Sequence, residues 1–218
     1  MLKLLLAFFL LSGCSYADDN APGTAAESSS GRKTAESDPV KAKAAGKAGR
    51  NASAKHEPYN MDHFTCQVPA GWEAGRDKAS EAKNKIYELE LLGPRVENAP
   101  VMIYAAYYAK DNRDFKTYGE FIERNSKDAI GRTETPTRKY TPVKETAMNG
   151  IKALSFEREV KEFLHPESTS EESVRVREKF YVLPAKEGFF VLHYYSPASV
   201  FNKYLPVFKK LISTFTPL

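Results

Sequence analysis

The sequence has little of what most often builds an active site. Its 218 residues include two cysteines and four histidines, and no histidine has a second His or Cys at metal-ligand spacing. No Gly-x-Ser-x-Gly elbow, phosphate loop or dinucleotide fingerprint occurs. We therefore expect no metal, no cofactor and no catalytic residues, and the sequence predicts a protein that is not an enzyme.

A strong net charge and a membrane-spanning run at the start of the chain are also lacking. The formal net charge is +4, and so mild an excess of basic residues does not indicate nucleic acid as a partner. The apolar run Leu4–Leu11 is too short to span a bilayer, which takes about 20 apolar residues. That run nevertheless leads to one of the two cysteines.

This cysteine, Cys14, follows a short secretory leader. Lys3 supplies one positive charge, the apolar run Leu4–Leu11 follows it, and Ser12-Gly13 lead directly into the cysteine. The arrangement resembles the lipobox of bacterial lipoproteins. In that family the cysteine thiol is alkylated with diacylglycerol, the leader is cut just before the cysteine, and the new amino group is often acylated.

The lipobox resemblance implies a signal peptide over residues 1–13 and lipidation at Cys14, with palmitate among the acyl chains. Two or more chains hold a protein stably on a membrane that it does not cross. In Gram-negative bacteria an aspartate after the cysteine favours the inner membrane, and Ser15 stands at that position here. We therefore expect a cell-envelope protein on the outer membrane, facing the periplasm.

The lipidated cysteine and the residues that follow it, 14–57, form a predicted tether. Ala, Gly, Ser, Asp, Lys and Arg dominate residues 15–57, and such a composition cannot bury a core and so predicts disorder. As a flexible coil these 43 residues would have an end-to-end distance of about 35 Å. Between residues 31 and 55 there are seven basic and two acidic residues, which either contact anionic lipid or cell-wall polymer or serve as a solvated spacer.

Residues 58–218 have the mixed aromatic, aliphatic and charged composition of one folded domain. Period-two alternation and β-forming residues predict strands over residues 63–68, 86–92, 140–147, 151–161 and 174–183. Two further strands, 101–109 and 189–195, are apolar on both sides, as strands covered on two faces would be. Asn149-Gly150 is a strong signal for an antiparallel hairpin, because both central residues of such a turn need a positive φ.

Two helices are predicted in the same domain. One covers residues 114–130, with Asp114 as its N-cap, and the other runs from Ser196-Pro197 to Phe215. The second has the strongest amphipathic stripe in the sequence and should close the core. The fold class is therefore predicted to be α+β, an antiparallel sheet with helices on both faces.

The predicted order of elements is a strand, a Gly-Trp turn, two strands, a helix, an antiparallel meander and a C-terminal helix. The segments that stand out within it are Phe64–Trp72, Met148–Ala153, Phe190–Leu192 and Phe208–Phe215. They resemble the PsbP-like family, an α-β-α sandwich shared by a photosystem extrinsic protein, a Ran-binding nuclear import factor and bacterial lipoproteins of the DcrB type. Members of that family act largely as binding or assembly proteins, so the resemblance implies a PsbP-like domain over residues 58–218 with no catalytic motif.

The histidines and the remaining thiol are predicted to be structural. His56 falls in the tether, His63 begins a strand and His165 lies in a polar loop. His193 has apolar neighbours along its strand, which is more typical of a hydrogen-bonded core residue than of a ligand or base. Cys66 is the only thiol left once the lipobox cysteine is modified, and its apolar neighbours favour burial over reactivity.

Two acidic pairs are further candidates. Glu88 and Glu90 share one strand face, as do Glu157 and Glu159, and acid–base chemistry would need carboxylates paired in this way. Solvated strand faces account for both pairs better, and that is our expectation.

Tyrosines are the remaining candidates for binding. Five tyrosines are too many for all of them to be buried with every hydroxyl group hydrogen-bonded: Tyr104, Tyr107, Tyr108, Tyr194 and Tyr195. Together with Arg175, Arg177 and Lys179 they would form a patch for an envelope protein or an anionic ligand. Alternatively, their rings lie under the two helices with the hydroxyls at the rim.

Three functions remain open on the sequence. The leading hypothesis is a membrane-anchored, non-enzymatic lipoprotein whose domain binds or helps assemble another envelope protein or complex. The second is a small-ligand or lipid-binding module, which predicts an enclosed pocket between sheet and helix. The third is a hydrolase, which predicts a buried histidine–carboxylate pair in a cleft.

Overall fold

The structure is a computed structural model that describes residues 56–165 and 167–218. The predicted signal peptide, the lipidation site Cys14 and the predicted tether as far as Lys55 lie outside the described residues. Within the described part of the chain, no helix is both long enough and apolar enough to cross a membrane.

The strands are β1 (His56–Asn60), β2 (Phe64–Pro69), β3 (Glu73–Gly75), β4 (Ile86–Val96), β5 (Ala99–Ala109), β6 (Arg138–Tyr140), β7 (Lys144–Met148), β8 (Ile151–Phe163), β9 (Ser173–Ala185), β10 (Gly188–Pro197) and β11 (Thr216–Pro217). The α-helices are α1 (Lys78–Asn84), α2 (Tyr118–Asn125) and α3 (Phe201–Thr214), the last preceded by a 3₁₀ turn at Ala198–Val200.

The strands form two sheets in which every pairing is antiparallel. The large sheet has the order β3-β4-β5-β10-β9-β8-β6, and β7 also pairs with β8. The small sheet has the order β1-β2-β11, so it joins the first described strand to the last. The predicted α+β class with an antiparallel sheet is confirmed.

Alternate residues of the central strand β10 belong to two different apolar clusters. Leu192 and Tyr194 share one cluster with Phe208 of α3. Val191 belongs to the other, which contains Phe121 of α2. Since successive side chains of a strand point to opposite sides, we call the side that carries Leu192 and Tyr194 the α3 face and the other side the opposite face.

The Asn149-Gly150 hairpin forms as the sequence predicts. Both residues have positive φ, 52° and 80°, and β7 pairs with β8 on either side of them. The side chain of Asn149 also donates from Nδ2 to the carbonyl oxygens of Ile212 (2.7 Å) and Phe215 (3.0 Å). The hairpin therefore satisfies carbonyl groups at the end of α3, which a helix leaves without partners.

The segment predicted as one strand over residues 140–147 forms two strands. β6 ends at Tyr140 and β7 begins at Lys144, so residues 141–143 separate them. Pro142 lies in this gap, and a proline has no N–H to donate to a sheet ladder. The expectation of a single strand was wrong for this reason.

The helix predicted over residues 114–130 is shorter at both ends. Its N-cap is Thr117, whose Oγ1 accepts from the backbone N–H of Glu120 at 3.1 Å. Asp114 is not the cap, because its N–H and that of Phe115 bond to the Asn112 side chain in the preceding turn. After α2 ends, the Asp128 carboxylate accepts N–H groups of the following loop and directs the chain away from a helix.

The C-terminal helix begins later than predicted. Ser196 and Pro197 belong to β10, and the Ser196 hydroxyl donates to the Pro197 carbonyl oxygen at 3.0 Å. At the other end of the described chain, β1 begins at His56, so His56 and Glu57 are paired with β2 although the predicted tether included them.

Candidate functional site

The opposite face of the large sheet has a charged cluster of three side chains at its centre, here called the polar centre: Arg158, Glu178 and His193. Arg158 donates from Nε to Glu178 Oε1 at 2.6 Å and from Nη2 to Glu178 Oε2 at 2.9 Å. His193 Nε2 lies 2.7 Å from Glu178 Oε2. Arg158 Nη1 also donates to Asn125 Oδ1 at 3.3 Å, which connects the cluster to α2.

The register of the strands brings these residues together. Arg158 of β8 lies opposite Glu178 of β9, and His193 of β10 lies opposite Phe180, two residues further along β9. Residues two apart on a strand share a face, so the three side chains converge. The sheet itself therefore positions the polar centre.

An aromatic ladder crosses the sheet beside the polar centre. Tyr104, His193, Phe180 and Phe156 lie opposite one another on β5, β10, β9 and β8. Their ring centroids are 5.3, 4.1 and 4.7 Å apart in that order, and the planes are within 15° of parallel. Both sides of the His193 imidazole are therefore covered by aromatic rings.

Electrostatics fix the protonation states at the polar centre. Burial would raise the pKa of Glu178, which is 2% exposed, but the charge of Arg158 and the hydrogen bond from His193 outweigh it and hold that pKa at about 2. Burial lowers the pKa of His193 and outweighs the attraction of Glu178. Near neutral pH, Glu178 is thus an anion that can only accept, and a neutral His193 donates its Nε2–H to it.

Three further carboxylates on the opposite face, those of Glu88, Glu90 and Glu162, have pKa values raised chiefly by burial. Burial, followed by the nearby charges of Glu90 and Glu81, raises the pKa of Glu88 to about 7. Burial also raises the pKa of Glu162, whose Oε2 accepts from the Tyr195 hydroxyl at 2.7 Å. Glu88 and Glu90 are both half-buried, so the expectation of a solvated acidic pair was wrong for them.

The second acidic pair lies on the α3 face and is neutralised. Glu157 accepts from Arg177 at 2.6 Å and from Lys179 at 2.7 Å, and Glu159 accepts from Arg175 at 2.8 Å. Burial opposes ionisation of Glu157, but the two cations outweigh it and lower its pKa. These carboxylates are occupied as ion-pair partners.

The tyrosines and basic residues considered from the sequence are divided between the two faces and do not form a single patch. The three basic residues paired with Glu157 and Glu159 project to the side opposite that of Tyr104 and Tyr195, because strand register places them on different faces. Tyr194 is fully buried, and its hydroxyl donates to the Phe201 carbonyl oxygen at 2.8 Å. The alternative, rings packed beneath helices, describes Tyr194 well.

The other histidines and the thiol lie apart from the polar centre. His63 packs between Tyr87 and Tyr107, with centroids 4.3 and 4.4 Å away. His165 lies in an exposed loop, with Nε2 3.5 Å from a carboxylate oxygen of Glu172. Cys66 is 3% exposed, and burial raises its pKa to about 12, so the prediction of a buried thiol is confirmed.

No group of three or more His, Cys, Asp and Glu residues within residues 56–165 and 167–218 is arranged to hold a metal ion. Two surface depressions are present in this part of the chain. One of about 570 Å³ is lined mainly by polar residues around β6, including Arg138, Glu159 and Arg175. The other, of about 180 Å³, lies between the ends of β5 and β10 and the start of α2.

Sequence reasoning treated His193 as a core residue but missed its partners. Arg158 and Glu178 are 20 positions apart, and neither lies in a recognisable motif. One local signal was available: Glu178 is a single charge within the apolar alternation of Val176, Phe180 and Val182. A charge on the apolar side of a strand requires a buried partner.

Comparisons with known proteins give no family assignment. No family model and no curated protein matches the chain. Among solved structures, it is similar to PA94, a Pseudomonas aeruginosa protein of unknown function (10% identity, TM-score 0.43), over 75% of this chain and 97% of that one. It is also similar to cyanobacterial PsbP (CyanoP) from Synechocystis sp. PCC 6803 (12%, TM-score 0.45), over 80% and 99% of the two chains.

A third solved structure is LpqN, a protein involved in cell envelope biogenesis of Mycobacterium tuberculosis. Its identity to this chain is 14% and its TM-score is 0.42, with 77% of this chain and 92% of LpqN covered. At these identities and TM-scores, the three similarities assign neither a family nor a function to this chain.

Proposed function

We propose that the protein is a non-enzymatic lipoprotein of the cell envelope whose folded domain binds or helps assemble another envelope protein. The observation that carries this proposal is Cys14, preceded by Leu11-Ser12-Gly13 and a basic, apolar leader. Acyl chains on that cysteine would hold the protein on a membrane. Ser15 favours the outer membrane, with the domain in the periplasm.

The polar centre supports a structural role for His193. The Nε2 of His193 is occupied by Glu178, and the rings of Phe180 and Tyr104 cover both sides of the imidazole. Glu178 is already paired in bidentate fashion with Arg158. A general base needs a free nitrogen within hydrogen-bond reach of a substrate proton, and this geometry commits Nε2 to the hydrogen bond with Glu178 while aromatic rings cover the imidazole.

For the domain we propose a PsbP-like sandwich with helices on both faces of the sheet. Phe208 of α3 packs with one set of alternate β10 residues, and Phe121 of α2 belongs to the cluster that contains the other set. The Phe64–Trp72 and Asn149-Gly150 segments, which carry the family resemblance, form a strand with its turn and a hairpin.

Anchoring and partner capture in intact cells test this proposal together. The full-length tagged protein is compared with Cys14→Ala for incorporation of labelled palmitate, for distribution between membrane and soluble fractions, and for crosslinked species. We expect the label, the membrane location and one discrete partner to depend on Cys14. Equal behaviour of the two forms, with no partner in either, would refute the proposal.

One observation bears on a second candidate, a hydrolase. That hypothesis predicts a buried histidine–carboxylate pair in a cleft; His193 and Glu178 supply a pair, but neither residue lines either of the two depressions. The test is turnover of a panel of ester and amide substrates by the protein and by His193→Gln, whose amide can still donate to Glu178. Turnover that His193→Gln abolishes, without loss of folding, would favour the enzyme; no turnover by either form favours the binding protein.

A further inference from the structure

The solvent side of α3 carries three lysines and no acidic side chain. Lys203, Lys209 and Lys210 are exposed, as are Pro206 and Ser213 on the same side of the helix. None of the three lysines forms an ion pair with the described residues. Three other exposed lysines do pair with a glutamate: Lys110 with Glu187, Lys139 with Glu134 and Lys152 with Glu145.

The neighbouring sequence does not neutralise this surface either. From Gly188 to Leu218 there is no Asp or Glu, and the only charged residues are these three lysines. A cluster of like charges without counter-charges creates a positive potential that attracts an anionic partner. Other exposed lysines, such as Lys78 and Lys186, also form no ion pair, but each of them has an acidic residue next to it in the sequence, which the α3 lysines lack.

The chain that leads from Cys14 enters the domain close to the end of α3. Pro58 of β1 lies opposite Gln67 of β2, and the Gln67 backbone N–H donates to Thr214 Oγ1 of α3 at 3.0 Å. Adjacent strands are about 4.8 Å apart. The entry strand and the end of α3 are thus neighbours in the fold.

We propose that the lysine side of α3 docks onto the anionic phospholipid headgroups of the membrane in which Cys14 is anchored. The proposal rests on the lipid anchor of the proposed function, which keeps the domain within about 35 Å of a bilayer. A lysine near an anionic surface strengthens binding by about fivefold, and the attraction fades within about 8 Å at physiological salt. Of the three lysines, Lys209 and Lys210 lie within five residues of Thr214 and are best placed to come within that range.

Amine-reactive footprinting tests the docking without altering the protein. The full-length protein, purified from membranes, is reconstituted into vesicles of phosphatidylcholine with or without phosphatidylglycerol, and modification of each lysine is measured by mass spectrometry. We expect modification of Lys203, Lys209 and Lys210 to fall by about fivefold when phosphatidylglycerol is present. Lys110, Lys139 and Lys152 are the built-in control and should not change.

Flotation of the vesicles separates this proposal from the anchor. If the protein floats but the α3 lysines stay as reactive as the control lysines, the anchor stands and the docking is wrong. If the protein does not float, the lipid anchor is refuted. Lysine modification is then measured with the protein added outside the vesicles, and this measurement tests the docking on its own. Protection in native membranes but not in phosphatidylglycerol vesicles would assign the surface to a protein partner and also overturn the proposal.

Discussion

The α3 face of the large sheet buries apolar rings and aliphatic chains and keeps its ion pairs partly exposed, whereas the opposite face has a fully buried carboxylate, Glu178, near its middle. On the first face Phe208, Leu211 and Phe215 of the C-terminal region are at most 1% exposed. On the second, Glu178 is 2% exposed and depends on Arg158. Apolar packing tolerates replacement by similar shapes, but a buried charge does not tolerate the loss of its partner.

The largest effect is expected for Arg158→Ala. The substitution leaves the buried Glu178 carboxylate without its counter-ion, and we expect it to lower the free energy of unfolding by about 3–5 kcal/mol. Urea denaturation at pH 7 measures this. Arg175→Ala, which breaks the exposed pair with Glu159, is the control and should cost about 0–1 kcal/mol; equal losses would contradict the contrast between the faces.

A pH-dependent effect is expected for Glu88→Gln. Folding raises the pKa of Glu88 from about 4.3 in the unfolded chain to about 7. Such a carboxyl group makes its full contribution to stability below the lower value. The contribution is lost as the pH rises through the higher value. Because glutamine does not ionise, the variant should be more stable than the wild type at pH 8 by about 1–3 kcal/mol. Most of that difference should vanish at pH 4.

Unfolding measured at several pH values checks this prediction. Glu145→Gln, an exposed residue paired with Lys152, provides the control and should show no comparable change with pH. A difference for Glu88→Gln that stays constant from pH 4 to pH 8 would mean that the opposite face does not shield this carboxyl from water.

A steric effect is expected at the edge of the large sheet for Gly93→Ala. A Cβ at Gly93 would lie 2.8 Å from carbons of the Trp72 ring, and Trp72 packs against the cluster of the α3 face. We expect a loss of about 1–3 kcal/mol and a changed fluorescence spectrum, since Trp72 is the only tryptophan. Gly75→Ala, with no atom near the new methyl group, should leave the spectrum unchanged.

The smallest effect is expected for Leu211→Met. Leu211 is fully buried on the α3 face, and methionine keeps its volume, so the cost should be below about 1.5 kcal/mol. Glu178→Gln also preserves volume but leaves Arg158 unpaired, and the same urea assay should show a clearly larger loss. If Leu211→Met proved the costlier of the two, the two faces would not differ as described.

Local signals predicted most of the fold. Alternation found most of the strands, and Asn149-Gly150 gave the β7–β8 hairpin with its positive φ angles. The burial of Cys66 followed from its apolar neighbours. The ends of α2 were missed because side chains such as Thr117 and Asp128 decide them through short-range hydrogen bonds that periodicity does not reveal.

The polar centre could not be predicted because it depends on register. Arg158, Glu178 and His193 are on three strands, and only the pairing of β8 with β9 and of β9 with β10 brings them together. The short strands β1, β3 and β11 were missed for a related reason. Each of these segments forms a strand because it pairs with another strand, more than because of its own amino-acid composition.

The pairing of β2 with β11 has a consequence for the order in which the small sheet forms. Thr65 lies opposite Thr216, and the Leu218 N–H donates to the His63 carbonyl oxygen at 3.0 Å. Contacts between such distant parts of a chain form slowly, because the intervening loop must close first. Until β11 is in place, β2 has only β1 as a partner in the small sheet, so this sheet is completed late in folding.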